Sequence, residues 1–126
     1  MPYLQIRLLS QQPVNSSRLG EEATRLMAEV MRKRREVTVV EVVATQSAWH
    51  TGGEPVTGPA VYVDIKITRG TNSESEKSRL LAEFQALLER ELGPLAAPAY
   101  IVIHEIPASD WGYGGLSQAS RLSGQL

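Results

Sequence analysis

Two stretches of this sequence repeat one another, and a repeat decides an architecture before any single residue does. Pro2-Tyr3-Leu4-Gln5-Ile6-Arg7-Leu8 aligns with Val61-Tyr62-Val63-Asp64-Ile65-Lys66-Ile67, apolar position on apolar position, with Arg7 meeting Lys66. Both read as strands of period two. Downstream, the apolar runs Val39–Val43 and Ile101–Glu105 each precede a Trp-x-x-Gly-Gly pattern, Trp49 to Gly53 and Trp111 to Gly115, and these are the only tryptophans. The spacing between equivalents grows slightly along the chain, as expected of two copies that differ by a short insertion.

A helix is expected between the strands of each copy. In the second, Leu80, Leu81, Phe84, Leu87, Leu88 and Leu92 recur at helical spacing. Ser73 with Glu76 spells a capping box and Gly93-Pro94 a stop. In the first, Leu19, Ala23, Leu26, Met27, Val30 and Met31 form a similar stripe that starts near Ser16 or Ser17 and fades into Arg32-Lys33-Arg34-Arg35. Each copy therefore reads strand, helix, strand, and Gly52–Pro59 joins them through breaker residues. Right-handed crossovers make each strand pair parallel. The expected fold is α+β: a single domain of two repeats, about 2–56 and 60–120, with a four-stranded mixed sheet and both helices on one face. The second and fourth strands are almost continuously apolar, which predicts cover on both faces. Two helices cover one face only, so self-association, as a trimer, is expected to cover the other and to protect the sheet edges.

At 126 residues the chain suits one compact domain. A net charge of −1 gives no bulk attraction to nucleic acid or an anionic membrane. Without cysteine, disulfides, thiolate metal sites and cysteine nucleophiles are excluded. His50 and His104 have no ligand spacing with carboxylates, so no metal is expected. No basic segment followed by a long apolar stretch opens the sequence, and no run reaches the roughly 18 apolar residues of a membrane span, so the expected location is cytoplasmic. Within the Arg32–Arg35 run, Arg34 and Arg35 read as complementing the negative end of the first helix or entering a neighbouring subunit's site. His104 reads as a hydrogen-bonded core histidine, and Arg7 as a partner for Asp64 across the sheet.

Taken in order, Met1-Pro2 opening into a strand, Ile65-Lys66-Ile67-Thr68-Arg69-Gly70 before the second helix, and Ile103-His104-Glu105-Ile106-Pro107 leading to Trp111-Gly112-Tyr113-Gly114-Gly115 resemble the tautomerase superfamily. Within it, the chain resembles a fused form of 4-oxalocrotonate tautomerase, whose short members are single β-α-β units beginning Met-Pro. The resemblance implies two units per chain, a homotrimer mimicking a hexamer of short members, and cofactor-independent catalysis by Pro2 once Met1 is removed. It also implies a small carboxylate substrate, held by candidates Arg69, Arg7, Trp111 and Tyr113. Removing Met1 turns an inert imide nitrogen into a secondary amine, and burial beside a cation would bring its pKa towards neutrality. Only the first copy can work this way, because Val61 lies inside the chain. The family's arginines, one in the turn after the first strand and one at the start of the second, meet Ser10–Val14 and Thr38 in the first copy, and Arg69-Gly70-Thr71 and Tyr100 in the second.

The expected activity is keto-enol or allylic tautomerisation of a 2-hydroxymuconate- or phenylenolpyruvate-like acid. Alternatives within the superfamily are dehalogenation by hydration, decarboxylation, or a non-catalytic oligomeric binding role. Hydration would require a further carboxylate or tyrosine to activate water.

Overall fold

The computed structural model describes residues 1–123. Its sheet is mixed and four-stranded, in the order β2-β1-β5-β6, with β1 Tyr3–Leu9, β2 Val39–Ala44, β5 Ala60–Thr68 and β6 Tyr100–Ile106. β1 runs parallel to β2 and β5 parallel to β6, while the central β1–β5 pair is antiparallel. Helix α1, Ser16–Glu29, links the first parallel pair and α2, Glu74–Leu92, the second. The small antiparallel ribbons β3–β4 (His50–Thr51, Glu54–Pro55) and β7–β8 (Gly112–Tyr113, Leu116–Ser117) follow β2 and β6, and a short α3 covers Gln118–Leu122.

Period-two alternation decides which face of the sheet is dry. Register pairs Leu4 with Ile65, Ile6 with Val63 and Leu8 with Val61, so one row of apolar side chains from the two central strands points the same way. Against that row pack Leu19, Ala23, Leu26 and Met27 of α1 and Leu80, Phe84, Leu87 and Leu88 of α2, in one continuous core. Each of the larger of these fully buried side chains, Ala23 aside, stabilises the fold by roughly 1.5–3 kcal/mol. The helices also meet each other through Arg18 and Glu91, 3.0 Å apart.

Ser73 caps α2 by accepting the Glu76 amide, while the Glu76 carboxylate accepts the Ser73 amide. α1 begins at Ser16, as the stripe of apolar residues suggests, and is capped by Asn15, whose side-chain oxygen accepts the Arg18 amide at 3.0 Å. α1 also stops at Glu29, so Val30 and Met31 are buried beyond its end.

The other face of the sheet carries polar side chains bonded to one another. The Tyr3 hydroxyl and Gln5 Nε2 donate to Glu41 Oε1, at 2.7 and 2.9 Å. Asp64 bonds the Tyr62 hydroxyl at 3.0 Å and His104 Nε2 at 2.7 Å. Asp64 is therefore engaged by its neighbour's His104 and not by Arg7, which stands exposed opposite Tyr62 and Val43. His104 lies on this polar face and outside the core, because its strand position shares the parity of Tyr62, Asp64 and Lys66. Burial works to raise the Asp64 carboxyl, and the bonds from His104 and Tyr62 outweigh it and hold the group below its ordinary value.

The cover expected on both faces of β2 and β6 is missing within one chain. They are the edge strands, with Val39 56% and Tyr100 62% exposed. Among the described residues no helix is long and apolar enough to cross a membrane.

Candidate active site

Pro2 is buried at the start of β1, where its carbonyl accepts the Val39 amide at 3.2 Å. In the antiparallel β1–β5 pair this end of β1 lies beside the end of β5, and β6, parallel to β5, delivers its following ribbon to the same place. Trp111 therefore arrives next to Pro2, with its indole N–H donating to the Thr68 hydroxyl at 3.2 Å. The ribbon turns at Gly114-Gly115, both at positive φ, the pairing that a tight two-residue hairpin requires. Gly112 has a different reason to be glycine: a Cβ there would stand 1.9 Å from the Leu116 carbonyl oxygen.

Pro2, Trp111 and Tyr113 line one cavity of about 400 Å3, closed by Val37 and Val39 and bordered by Met1, Tyr3 and Glu36. Its walls are mainly apolar, and its size falls in the range of small-ligand sites. Arg69 and Arg7 do not line it. The Arg69 side chain is exposed beyond β5, although its amide bonds the Ile106 carbonyl at 2.8 Å. Arg7 lies further along β1, on the helix-free face.

The cations near Pro2 come from the run after α1. A second cavity, of about 380 Å3, shares Met1, Val37 and Tyr113 with the first and is lined by Arg32, Lys33, Arg34 and Arg121. Arg32 is the one non-glycine at positive φ among the described residues, at 58°. Such a conformation costs on the order of 1–3 kcal/mol and is tolerated where neighbours hold it. Here Arg32 is clamped on α2: its guanidinium donates to both Glu76 oxygens, at 2.8 and 3.2 Å, and to the Thr71 carbonyl. With bonds from Arg32 first, then from Ser73 and Asn72, the Glu76 carboxyl falls to about 2. Arg32 thus binds α2 and the Thr71 turn, and no basic residue lies in the last turn of α1.

The turn directs Lys33 inward. It is half-buried, donates to the Thr71 hydroxyl at 2.7 Å, and has no carboxylate within ion-pair distance among the described residues. Burial and then Arg32 lower its pKa. Arg34 pairs with Glu36 at 2.9 Å. With Met1 in place the terminal amine is that of Met1, and burial, then Lys33, then Arg34, depress it below its ordinary 8.0. This end of the molecule therefore disfavours a protonated amine. Among the described residues no group of three His, Asp or Glu side chains gathers as a metal site.

Comparison with known proteins bears on the fold and the family. The family described as Tautomerase enzyme matches residues 62–121. A probable tautomerase K2 of Dickeya dadantii (strain 3937) is 33% identical over 60 residues, which make up 48% of this chain and 90% of that relative. Among solved structures, a fused 4-OT in a symmetric trimer superposes with a TM-score of 0.81 at 17% identity, over 94% of this chain and 98% of that one. A macrophage migration inhibitory factor homologue from Prochlorococcus marinus gives 0.78 at 22%, over 91% and 97%. The factor-like protein of Entamoeba histolytica gives 0.76 at 23%, over 92% and 97%. The structural likenesses show the fold, and the match along nearly all of a short relative shows descent: this chain belongs to the tautomerase family.

Proposed function

We propose that this protein is a cofactor-independent tautomerase of small enol or dienol 2-oxo acids, with Pro2, exposed by loss of Met1, as its base. The observation that carries this reading is the placing of Pro2 and Trp111 in one apolar cavity whose terminal amine is flanked by Lys33 and Arg34. Neutral Pro2 nitrogen takes the enol hydroxyl proton. As the oxygen lone pair forms the carbonyl, the carbon–carbon double bond collapses onto the proton held by Pro2 ammonium. A C–H bond forms, the ketone is released and the amine is neutral again, so one group serves both transfers. Lys33, in the adjoining cavity that shares Met1, Val37 and Tyr113 with this one, supplies the charge that holds the substrate carboxylate and the developing enolate oxygen, whereas Arg69 and Arg7 line neither cavity. Trp111 and Tyr113 flank the planar skeleton.

Two copies of one unit account for the repeated strand-helix-strand order and the two Trp-Gly-Gly ribbons, and the matched relative is little over half as long as this chain. Three chains assembled through β2 and β6 would cover Val39 and Tyr100. Light scattering is expected to return three times 13.8 kDa, and a monomeric mass would reject the trimer.

Met1-free protein is expected to accelerate ketonisation of phenylenolpyruvate or 2-hydroxymuconate, followed by ultraviolet absorbance. No acceleration of either would overturn the tautomerase reading. Glu36 at the cavity border favours a second reading, addition of water to an unsaturated acid with Glu36 activating the water. A product heavier by one water, lost in Glu36→Gln, would mark it.

A further inference from the structure

The repeat builds another cavity at the opposite end of the sheet, of about 420 Å3, and the mechanism above gives it no task. Its walls answer those of the Pro2 cavity. Val61 and Tyr62 stand at the start of β5 as Pro2 and Tyr3 stand at the start of β1. Tyr62 pairs with Tyr100 of β6 in the register that pairs Tyr3 with Val39 of β2. Trp49 opens its ribbon as Trp111 opens the other: the Trp49 carbonyl accepts the Val56 amide at 2.9 Å, and the Trp111 carbonyl the Gln118 amide at 2.8 Å. Each indole N–H is taken by a threonine hydroxyl, of Thr45 at 3.1 Å and of Thr68 at 3.2 Å. The volumes, about 420 and 400 Å3, match as well.

The chemistry does not match. Val61 lies inside the chain, so no terminal amine enters this cavity. Arg32–Arg35 follows α1, whereas Gly93–Ala97, after α2, contains no charged residue. None of the lining residues is Lys, Arg, Asp or Glu. The aromatic side chains remain: Trp49, Tyr62 and Tyr100. With the Trp49 N–H bonded to Thr45 and the Tyr62 hydroxyl bonded to Asp64 at 3.0 Å, neither group is free to pair an ion. A carboxylate entering here would lose its water and meet no cation, whereas a neutral ring loses little. Tyr100 stands on an edge strand, as Val39 does, so a neighbouring chain that borders the Pro2 cavity borders this one in the same way.

We propose that this cavity is a second, non-catalytic binding site for an uncharged planar aromatic molecule, packed against Trp49 and Tyr100. The site rests on the repeat and on its uncharged walls, and it stands whether or not Pro2 acts as a base.

The two tryptophans make the test, because one lines each cavity. Trp111→Phe leaves Trp49 as the single indole. Nitrobenzene is planar, uncharged and a quencher of indole emission, and 4-nitrobenzoate differs from it by a carboxylate. In Trp111→Phe, nitrobenzene is expected to quench Trp49 saturably, with half-saturation at least about 10-fold below that of 4-nitrobenzoate. In the same background Tyr100→Ala, which removes an exposed ring from an edge strand, is expected to raise the nitrobenzene half-saturation about 10-fold. Thr51→Lys, on the exposed ribbon, keeps every ring and is expected to tighten 4-nitrobenzoate about 10-fold while moving nitrobenzene by less than about 2-fold. Quenching that only rises linearly, equal binding of the two compounds, or half-saturations that neither substitution moves would overturn the site. Trp49 emission that follows protein concentration and ignores nitrobenzene would overturn it too, as the sign that a second copy of the chain fills the cavity. The expected shifts, in a protein whose wild type ketonises nothing, would keep this site and remove the tautomerase.

Discussion

Pro2→Ala is expected to lower kcat/KM for phenylenolpyruvate ketonisation by about two orders of magnitude, at the low end of what a positioned acid–base group contributes. The low end applies because the variant, once Met1 is removed, still has a terminal amine, now primary and free to rotate about the bond that the proline ring had fixed. The fold has little reason to change: the bond made here is from the Val39 amide to the residue 2 carbonyl, which alanine retains. A sharper arm keeps Pro2 and retains Met1, which leaves the nitrogen an amide that cannot accept a proton. That form is expected to fall to the uncatalysed rate, and intact mass identifies each species. Equal kcat/KM for Met1-free wild type and Pro2→Ala, or full activity with Met1 retained, would remove Pro2 from the chemistry.

The sheet was readable because its signal is local. Leu4, Ile6 and Leu8, like Val63, Ile65 and Ile67, alternate with polar residues, and the buried rows are those residues. The Ser73–Glu76 box likewise needs only four residues to be seen. Lys33 and Arg121 were harder because their places come from topology and not from a motif. A right-handed crossover helix runs against its strands, so the end of α1 had to return to the end of β1 where Pro2 lies. That argument, applied to Arg32–Arg35, would have put the run at the site; a charge run read by itself suggests a helix end or a solvated face. The same topology brings Arg69 to this end of the sheet, but no spacing rule tells which way a turn side chain points, and this one points to solvent. Arg121, which lines the adjoining cavity, had no signal at all: α3 is five residues long, and the guanidinium is placed by the Tyr113 ring eight residues earlier.

Lys33→Met tests two consequences of one charge, and they move different observables. Burial, Lys33 and Arg34 depress the Met1 amine, and the same surroundings act on the Pro2 amine exposed by loss of Met1, so its neutral form is present down to a pH below that of an ordinary terminal proline. Activity is therefore lost as pH falls through that depressed value, which sets the acid limb of the kcat/KM profile. Removing Lys33 takes away a repulsion against the ammonium form, so the limb is expected to shift upward, towards the ordinary amine value. The carboxylate also loses its charged donor, and KM is expected to rise by about 10- to 100-fold. Lys33→Arg restores the charge without the ammonium geometry, so it is expected to return the limb towards its wild-type position while leaving KM raised. A Lys33→Met profile that keeps its acid limb and its KM would show that the cation acts on neither the base nor the substrate. The half-buried lysine would then be only a donor that steadies Thr71 at the foot of α2.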